Sequence, residues 1–279
     1  MSTYPEIPYA PYGQPYFETL GREPGLNRPA NNPCRIIDFA VLRLRAGETH
    51  EFDTGDREFA LDPLTGTIDV TVGSDSFPGI GGRKSVFDGP PHVVYVGCGS
   101  RVRILARDDA EVGLGSCPSS TPIEPYHVKP EEVFTGQWGD GNTTRHFRAM
   151  INKNRPSERL WFAEVMVADG RWATYPPHKH ENVPGEVFQE EMYYYRVEPA
   201  HGFGFCGQFE GQVGGDYAFL IRDNTLHKMP NGYHTVAAAP GYRVWYLATY
   251  AGPTGKAHSP VPHPHHAKFR ENQFPANPV

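Results

Sequence analysis

Two histidines separated by a single residue, His178 and His180, are the residues of this sequence best placed to do chemistry. In an extended strand, residues two apart point to the same face, so both imidazoles can reach one point. A pair of carboxylates, Glu190 and Glu191, opens the next aromatic run, and His234 follows a glycine further along. Three imidazoles and one carboxylate suit a divalent transition metal that keeps positions open for a substrate. The sequence therefore predicts a metal-dependent active site.

Only one of the two adjacent glutamates can face such a site, because neighbouring side chains on a strand point to opposite faces. If Glu191 faces inward, Tyr193 and Tyr195 do so too; if Glu190 faces inward, both tyrosines face away. Inward tyrosines suit a polar substrate, since a phenol combines a rigid ring with a hydroxyl, but core aromatics are the alternative. Gln208 can point to either face. Periodicity alone leaves these choices open.

The elements that must position these residues are short strands. The chain has 279 residues, and its 30 glycines and 28 prolines favour many turns over long helices. Aromatic residues, at 13%, supply much of the core. Short alternating runs separated by closely spaced turns, with little helical periodicity, predict an all-β chain built as a sandwich or barrel.

Composition also restricts partners and location. The net charge of -6 provides no basic surface, which argues against a nucleic-acid partner. There is no apolar run near the roughly 18 residues of a membrane span, and no signal peptide is recognised. The four cysteines form no C-x-x-C pair, which argues against a zinc knuckle. We therefore expect a soluble cytoplasmic protein with reduced thiols.

The pattern of turns predicts two β domains. We expect an N-terminal arm at 1–33, a first domain at 34–120, a linker at 121–145, a second domain at 146–255 and a C-terminal tail at 256–279. The Pro- and Tyr-rich arm is either disordered or packed against a neighbouring domain or subunit. The first domain has no H-x-H pattern, so we expect a single metal site, in the second domain.

Other sites receive less support. The histidines at the C-terminal end are interrupted by prolines and accompanied by no acid or cysteine, so they favour a solvated or docking tail over a second metal site; they are His258, His263, His265 and His266. A G-x-S-x-G elbow and a P-loop are both missing, which argues against a serine hydrolase and a P-loop enzyme.

The chain resembles the 5-deoxy-glucuronate isomerase family, whose members are bicupins. The resemblance spans roughly residues 35–255. It is most specific in three stretches of the second half, and weaker stretches lie in the first half. These stretches are 175–180, 190–196 and 232–242 in the second half, with 64–66, 81–87 and 94–96 in the first. The resemblance implies two cupin domains in one chain, each a β-barrel or jelly roll.

The resemblance also implies a ligand set and a reaction. The family's ligands would fall on His178, His180, Glu191 and His234, which favours Glu191 over Glu190. They would hold one divalent transition metal, and zinc, manganese, iron and nickel all suit such a donor set. The implied reaction is the conversion of 5-deoxy-D-glucuronate to 2-deoxy-5-keto-D-gluconate in myo-inositol catabolism, through an enediol.

Proton transfer and substrate binding need further groups. Tyr195, Glu190 or a metal-bound hydroxide could move the proton. Arg196 and Arg148 are candidates to bind the substrate carboxylate, with Tyr193 and Gln208 as further substrate contacts. Three alternatives to the implied function stay open: an isomerase of 5-keto-4-deoxyuronate, a metal-dependent cupin oxygenase, and a sugar-binding bicupin without catalysis. We also expect that the chain can form a homo-oligomer.

Overall fold

The computed structural model describes residues 15–181, 187–210 and 215–268. Within those ranges the regular secondary structure is almost entirely β-strand. The strands are β1 (Phe17–Thr19), β2 (Gly25–Asn27), β3 (Asp38–Leu44), β4 (Thr49–Asp53), β5 (Arg57–Thr65), β6 (Thr67–Val72), β7 (Asp75–Gly81), β8 (Val93–Val96), β9 (Arg101–Ala106), β10 (Ala110–Pro118), β11 (Tyr126–Val128), β12 (Phe134–Trp138), β13 (Arg145–Ile151), β14 (Trp161–Ala168), β15 (Trp172–Lys179), β16 (Glu190–Glu198), β17 (Gly204–Phe209), β18 (Tyr217–Ile221), β19 (Thr225–Met229), β20 (Tyr233–Ala238), β21 (Arg243–Ala251) and β22 (Val261–Pro262). The helical segments in the same ranges are short: the 3-10 turns Pro130–Glu132 and Gly141–Thr143, and α1 (Pro264–Ala267).

The strands form two barrels, each made of a larger and a smaller antiparallel sheet. In the first half the strand orders are β11-β8-β5-β10-β3-β2 and β4-β9-β6-β7. In the second half they are β1-β19-β16-β21-β14-β13-β12 and β18-β17-β20-β15-β22. The run β8-β5-β10-β3 recurs as β19-β16-β21-β14, so the halves share one topology. The predicted all-β fold of two barrel or jelly-roll domains is confirmed.

The larger sheets of the two halves pack against each other, as β3 illustrates. Ala40 and Leu42 point into the first barrel, where they meet residues of its smaller sheet. Phe39 and Val41 point the other way and share a core with residues of the second half, including Tyr194. Because both faces of the strand are buried, consecutive residues are apolar rather than alternately polar.

Buried acidic residues also join the halves. Glu58 is fully buried and accepts hydrogen bonds of 2.7–2.9 Å from the backbone N–H groups of residues 158–160 at the entrance to β14. Arg83 pairs with Asp62 of its own half at 3.0 Å and with Glu164 of the other half at 2.7 Å. Buried charges of this kind are tolerated only when they are paired and hydrogen-bonded.

The terminal and connecting segments belong to the barrels. In the N-terminal arm, β1 pairs with β19 of the second barrel and β2 pairs with β3 of the first, so its described part packs against neighbouring domains, which is one of the two predicted outcomes. The predicted linker contributes β11 to the first barrel and β12 to the second. Residues 1–14 and 269–279 lie outside the described ranges. No helix in those ranges has the length and apolar character needed to cross a membrane.

Candidate metal centre

The second barrel brings the predicted ligands together. His178 on β15 lies directly opposite His234 on β20, and His180 follows at the end of β15. Glu191, the second residue of β16, reaches the same point from the facing sheet. One donor atom from each of the four side chains lies within 4.8 Å of the others, and all four residues are buried. The H-x-H spacing thus acts as the strand geometry predicts.

The donor set fits a divalent metal. Glu191 Oε2 lies 3.0 Å from His234 Nε2 and 3.5 Å from His180 Nε2. Among the described residues neither ring nitrogen of His180 has a hydrogen-bond partner, although both are buried, and such groups normally find one. A metal ion at the centre of the cluster would take one of these ring nitrogens together with Glu191 Oε2, another buried atom without a hydrogen-bond partner among the described residues, and imidazole nitrogens with one carboxylate suit several transition metals.

The protonation states also suit a metal. Burial lowers the pKa of His178 well below its usual range, and the neighbouring His234 and His180 lower it further. Burial alone would raise the pKa of Glu191, but its contacts with His180 and His234 outweigh burial and hold this pKa well below the usual range. Neutral imidazoles and an ionised carboxylate are the forms in which these side chains bind metals.

A cavity of about 90 Å³ opens beside the cluster and is large enough for several water molecules. His178 and Glu191 lie in its wall. Its floor is a row of small side chains on adjacent strands of the larger sheet, since Ala248 faces Ala163 and Ala163 faces Ala149 in the strand register. Large residues at these positions would fill the space, so the alanines create the cavity.

Hydroxyl groups line the cavity next to the cluster. The hydroxyl of Tyr193 lies 3.5 Å from His234 Nε2, and those of Thr174 and Tyr246 are 3.1 Å apart. Thr174 has φ of +52°, a conformation that is costly for a β-branched residue. The backbone is therefore strained where it presents this hydroxyl. Burial raises the pKa of both Tyr193 and Tyr246, so the phenols remain protonated donors.

The comparisons with known proteins agree with this geometry. The family model described as KduI/IolB family matches residues 26–269. The chain belongs to the KduI/IolB family. It is 32% identical over 240 residues to a 5-deoxy-glucuronate isomerase of Geobacillus kaustophilus, covering 84% of this chain and 87% of that protein. It is also 32% identical over 231 residues to the 5-deoxy-glucuronate isomerase of Bacillus subtilis strain 168, covering 81% and 85%. The predicted family and the predicted enzyme class, an isomerase, are confirmed.

Solved structures extend the family comparison. An IolB-like protein from Salmonella typhimurium LT2 superposes with a TM-score of 0.86 at 28% identity, covering 91% of this chain and 98% of that one. A mutant of the Bacillus subtilis oxalate decarboxylase superposes with a TM-score of 0.61 at 13% identity, covering 92% and 81%. This second likeness concerns the fold alone, and it agrees with the two-barrel bicupin fold of the KduI/IolB chain.

Three residues predicted to act at the site instead join the two barrels of this KduI/IolB protein. Glu190 points away from the cluster and accepts backbone hydrogen bonds from the first half. Arg196 pairs with Glu111 at 2.6 Å and with Asp223 at 2.8 Å. Arg148 pairs with Glu164 of its own half at 3.1 Å and donates to the Val86 carbonyl of the first half at 3.3 Å. Their predicted roles in proton transfer and carboxylate binding are therefore withdrawn.

Two other predicted residues are buried behind the cavity wall. Tyr195 is fully buried, and its ring lies 5.7 Å from that of Tyr246, but it does not line the cavity. Gln208 is also fully buried; its amide donates to the Asn231 carbonyl at 2.9 Å, and its oxygen lies 3.0 Å from His227 Nε2. Neither side chain lines the cavity in this arrangement. Of the predicted substrate contacts, Tyr193 alone lines the cavity.

Several cavity residues were missed by sequence reasoning, among them Thr174 and Tyr246, described above, and also His258 and Arg145. His258, assigned to the tail, lines the cavity; its ring lies 5.3 Å from that of His180, and its Nδ1 lies 2.6 Å from Gln189 Oε1. Of the two predicted alternatives, residues 256–268 form a docked rather than a solvated tail, because β22 pairs with β15 at His178. Arg145, at the start of β13, also lines the cavity. The sequence did carry a signal for Arg145: on a strand, residues 145 and 147 point to the same face and residue 148 to the opposite one, so Arg145 shares the face of Phe147.

Proposed function

We propose that the chain is a metal-dependent aldose–ketose isomerase that converts 5-deoxy-D-glucuronate to 2-deoxy-5-keto-D-gluconate in myo-inositol catabolism. The observation that carries this proposal is the buried group of three histidines and Glu191 beside a cavity. It is supported by relatives from Geobacillus and Bacillus that bear the name 5-deoxy-glucuronate isomerase. The substrate would be a small sugar acid, in keeping with the size of the cavity.

The metal would be held by His178, His180, Glu191 and His234, and zinc, manganese, iron and nickel are the candidates. When bound, such an ion polarises the carbonyl of the sugar and its neighbouring hydroxyl and so lowers the cost of moving a proton between C1 and C2.

The chain's own residues would orient the sugar and carry its protons. Isomerisation of an aldose moves one proton from C2 to C1 and another from O2 to O1, so hydroxyl groups must lie close to both oxygens. Tyr193, Thr174 and Tyr246 offer such hydroxyls next to the cluster. The apolar floor and aromatic walls keep bulk water away from the reacting carbons, which strengthens every polar contact inside.

The decisive experiment measures turnover and metal content on one purified sample. Conversion of 5-deoxy-D-glucuronate is followed by NMR before and after chelation, and again after zinc, manganese, iron or nickel is restored. The same assay is applied to His178→Ala and to the control His201→Ala, whose side chain is exposed. We expect turnover to disappear with chelation and in His178→Ala, and to persist in His201→Ala.

Other outcomes would select the alternatives. Turnover of 5-keto-4-deoxyuronate in preference to 5-deoxy-D-glucuronate would reassign the substrate. Oxygen consumption with a uronate, abolished under anaerobic conditions, would indicate an oxygenase. Saturable uronate binding by metal-loaded protein without turnover of any of these compounds would indicate a binding bicupin.

We place the enzyme in the cytoplasm on the basis of its cysteines. Cys34, Cys98, Cys117 and Cys206 are all free thiols, a state that the reducing cytoplasm maintains. Formation of a homo-oligomer stays a prediction.

A further inference from the structure

Arg145 is held in a fixed position at one end of the cavity. It is 3% exposed and pairs with Trp138 across β12 and β13. Its guanidinium carbon lies 5.7 Å from the centre of the Trp138 ring, and Nη1 donates to the Thr143 carbonyl at 3.1 Å. A Cβ atom at Gly139 would lie only 2.7 Å from Nη1, so the bare backbone of this glycine lets the guanidinium sit where it does.

The cavity extends from this guanidinium to the metal cluster. Glu191 lies on β16 and Arg145 on β13, with β21 and β14 between them. Adjacent strands are about 4.8 Å apart, so the two strands are separated by roughly 14 Å across the sheet. Arg145 is also displaced along the strands, since Glu191 lies level with Tyr250 and Trp161, whereas Arg145 adjoins His146, which lies level with Met166. The alanine floor lies on these intervening strands and on β13. A short, extended molecule that crosses the floor obliquely can therefore have its two ends in different surroundings, one beside the cluster and one beside Arg145.

The two ends differ in chemistry. One carries the histidines and Glu191, which suit a metal and the oxygen atoms of a sugar. At the other, Arg145 is the only arginine or lysine among the described residues that line the cavity. A guanidinium stays charged at all ordinary pH values, matches the two oxygens of a carboxylate, and binds it most strongly away from bulk water.

We infer that Arg145 binds the carboxylate of the sugar acid and so directs the opposite, carbonyl-bearing end of the substrate to the cluster of His178, His180, Glu191 and His234. This inference rests on the proposed function, because it assumes that the substrate is a uronic acid. It replaces the sequence-based candidates Arg196 and Arg148. It also makes Arg145 a determinant of specificity for acids over neutral sugars.

The test compares an acid with its neutral counterpart in the metal-loaded, full-length enzyme. Turnover of 5-deoxy-D-glucuronate and of 5-deoxy-D-glucose, in which a hydroxymethyl group replaces the carboxylate, is measured for the wild type, Arg145→Met and Arg145→Lys. Arg171→Met, in which an exposed arginine outside the cavity is changed, is the control. Metal content and melting temperature are recorded for each variant.

We expect Arg145→Met to lose about 100-fold in kcat/KM for the acid, mainly through KM, and less than about threefold for the neutral sugar, because one charge-assisted contact is removed. Arg145→Lys should recover part of the loss, and Arg171→Met should match the wild type. Equal losses for acid and neutral sugar, or no loss for the acid, would overturn the inference.

A binding experiment separates this inference from the proposed reaction. The fluorescence of the protein, to which Trp138 beside Arg145 contributes, is titrated with D-glucuronate and with D-glucose, neither of which needs to react. We expect the wild type to bind glucuronate at least tenfold more tightly than glucose, and Arg145→Met to lose this preference. If turnover fails but the preference depends on Arg145, the reaction is wrong and the carboxylate site stands. If the preference survives Arg145→Met, the carboxylate site is wrong whatever the reaction.

Discussion

Glu190 and Glu191 are consecutive residues of β16, and their carboxylates serve opposite faces of one strand. Glu190 accepts hydrogen bonds of 2.6–3.3 Å from the backbone N–H groups of residues 35–37 and so fastens the second barrel to the first. Glu191 points into the second barrel, where Oε2 lies 3.0 Å from His234 Nε2. The alternation of a strand thus gives two identical side chains two unrelated tasks.

Neutralising each glutamate should therefore separate metal binding from stability. Glu191→Gln should lose most of the bound metal and at least 100-fold in kcat, because an amide is a poor substitute for a carboxylate ligand, with little change in folding. Glu190→Gln should keep the metal but lower the free energy of unfolding by about 1–3 kcal/mol, because its hydrogen bonds lose their ionic component. Metal analysis and urea unfolding of the two variants provide the measurements.

The opposite pattern would contradict this assignment. If Glu190→Gln lost the metal while Glu191→Gln retained it, the inward face of β16 would be the other one. Because the two substitutions are identical and adjacent, each variant serves as the control for the other.

The spacing of turns was sufficient to predict the fold class, and the H-x-H pattern predicted that His178 and His180 share one face. Alternation alone did not decide the orientation of β16, for which only the family resemblance favoured Glu191. The H-x-H spacing and the spacing of turns involve residues close together in the sequence, so they can be interpreted without knowing the tertiary structure. The orientation of β16 was not decided, because both of its faces are buried: Tyr193 faces the barrel, and Tyr194 faces the other half. When neither face of a strand is polar, apolar and polar residues do not alternate along it, so the inward face cannot be predicted from the sequence.

The roles of Arg148 and Arg196 also could not be predicted from the sequence, because they depend on tertiary structure. Arg148 and Arg196 carry charges that suit a substrate carboxylate, but they lie where the second barrel meets the first and pair with Glu164 and Glu111. Nothing within a few residues of either arginine in the sequence reveals that surface. His258 was missed for a related reason: it approaches the cavity through the packing of 256–268 on β15, a contact between distant parts of the chain.

Filling the cavity floor should block the substrate without disturbing the metal. In Ala163→Leu, the larger side chain would project from the middle of the alanine row into the cavity. We expect kcat/KM to fall by about 100-fold, because a misplaced substrate loses most of its reactive geometry, while metal content stays at the wild-type level. Ala218→Leu, at an exposed position on β18, is the matched control and should remain active. Unchanged turnover in Ala163→Leu would exclude this cavity as the place where the substrate binds.

Removing the ring of His258, which packs beside the predicted ligand His180, should lower metal affinity and activity. This ring packs 5.3 Å from that of His180 and is oriented by Gln189. Changes in residues that support metal ligands typically cost about 10- to 100-fold in metal affinity or activity, and we expect His258→Ala to fall in that range. The control is His265→Ala, because this side chain is exposed. Metal titration and turnover assays on both variants would test this, and equal behaviour of the two would remove His258 from the site.

The ion pairs between the barrels should make stability depend on pH in a defined range. Burial alone would raise the pKa of Glu111, but Arg196 and Arg43 outweigh burial and lower it from its ordinary value of 4.5. A carboxyl group whose pKa is lower in the folded state stabilises that state above the unfolded pKa, and this contribution disappears as the pH falls through the folded pKa. The contribution of Glu111 should therefore be constant from pH 7 to about pH 5 and decline below about pH 4.5.

Glu111→Gln tests this range directly. At pH 7 we expect the variant to be less stable by about 1–3 kcal/mol, because charge-assisted hydrogen bonds to Arg43 and Arg196 are lost. The difference from the wild type should shrink when urea unfolding is repeated at pH 4 and pH 3.5. Glu51→Gln, which weakens an exposed pair with Arg101, should change stability far less than Glu111→Gln does, because exposed pairs are screened by solvent. A difference for Glu111→Gln that grew as the pH fell would mean that this carboxyl is protonated more readily in the folded chain than in the unfolded one.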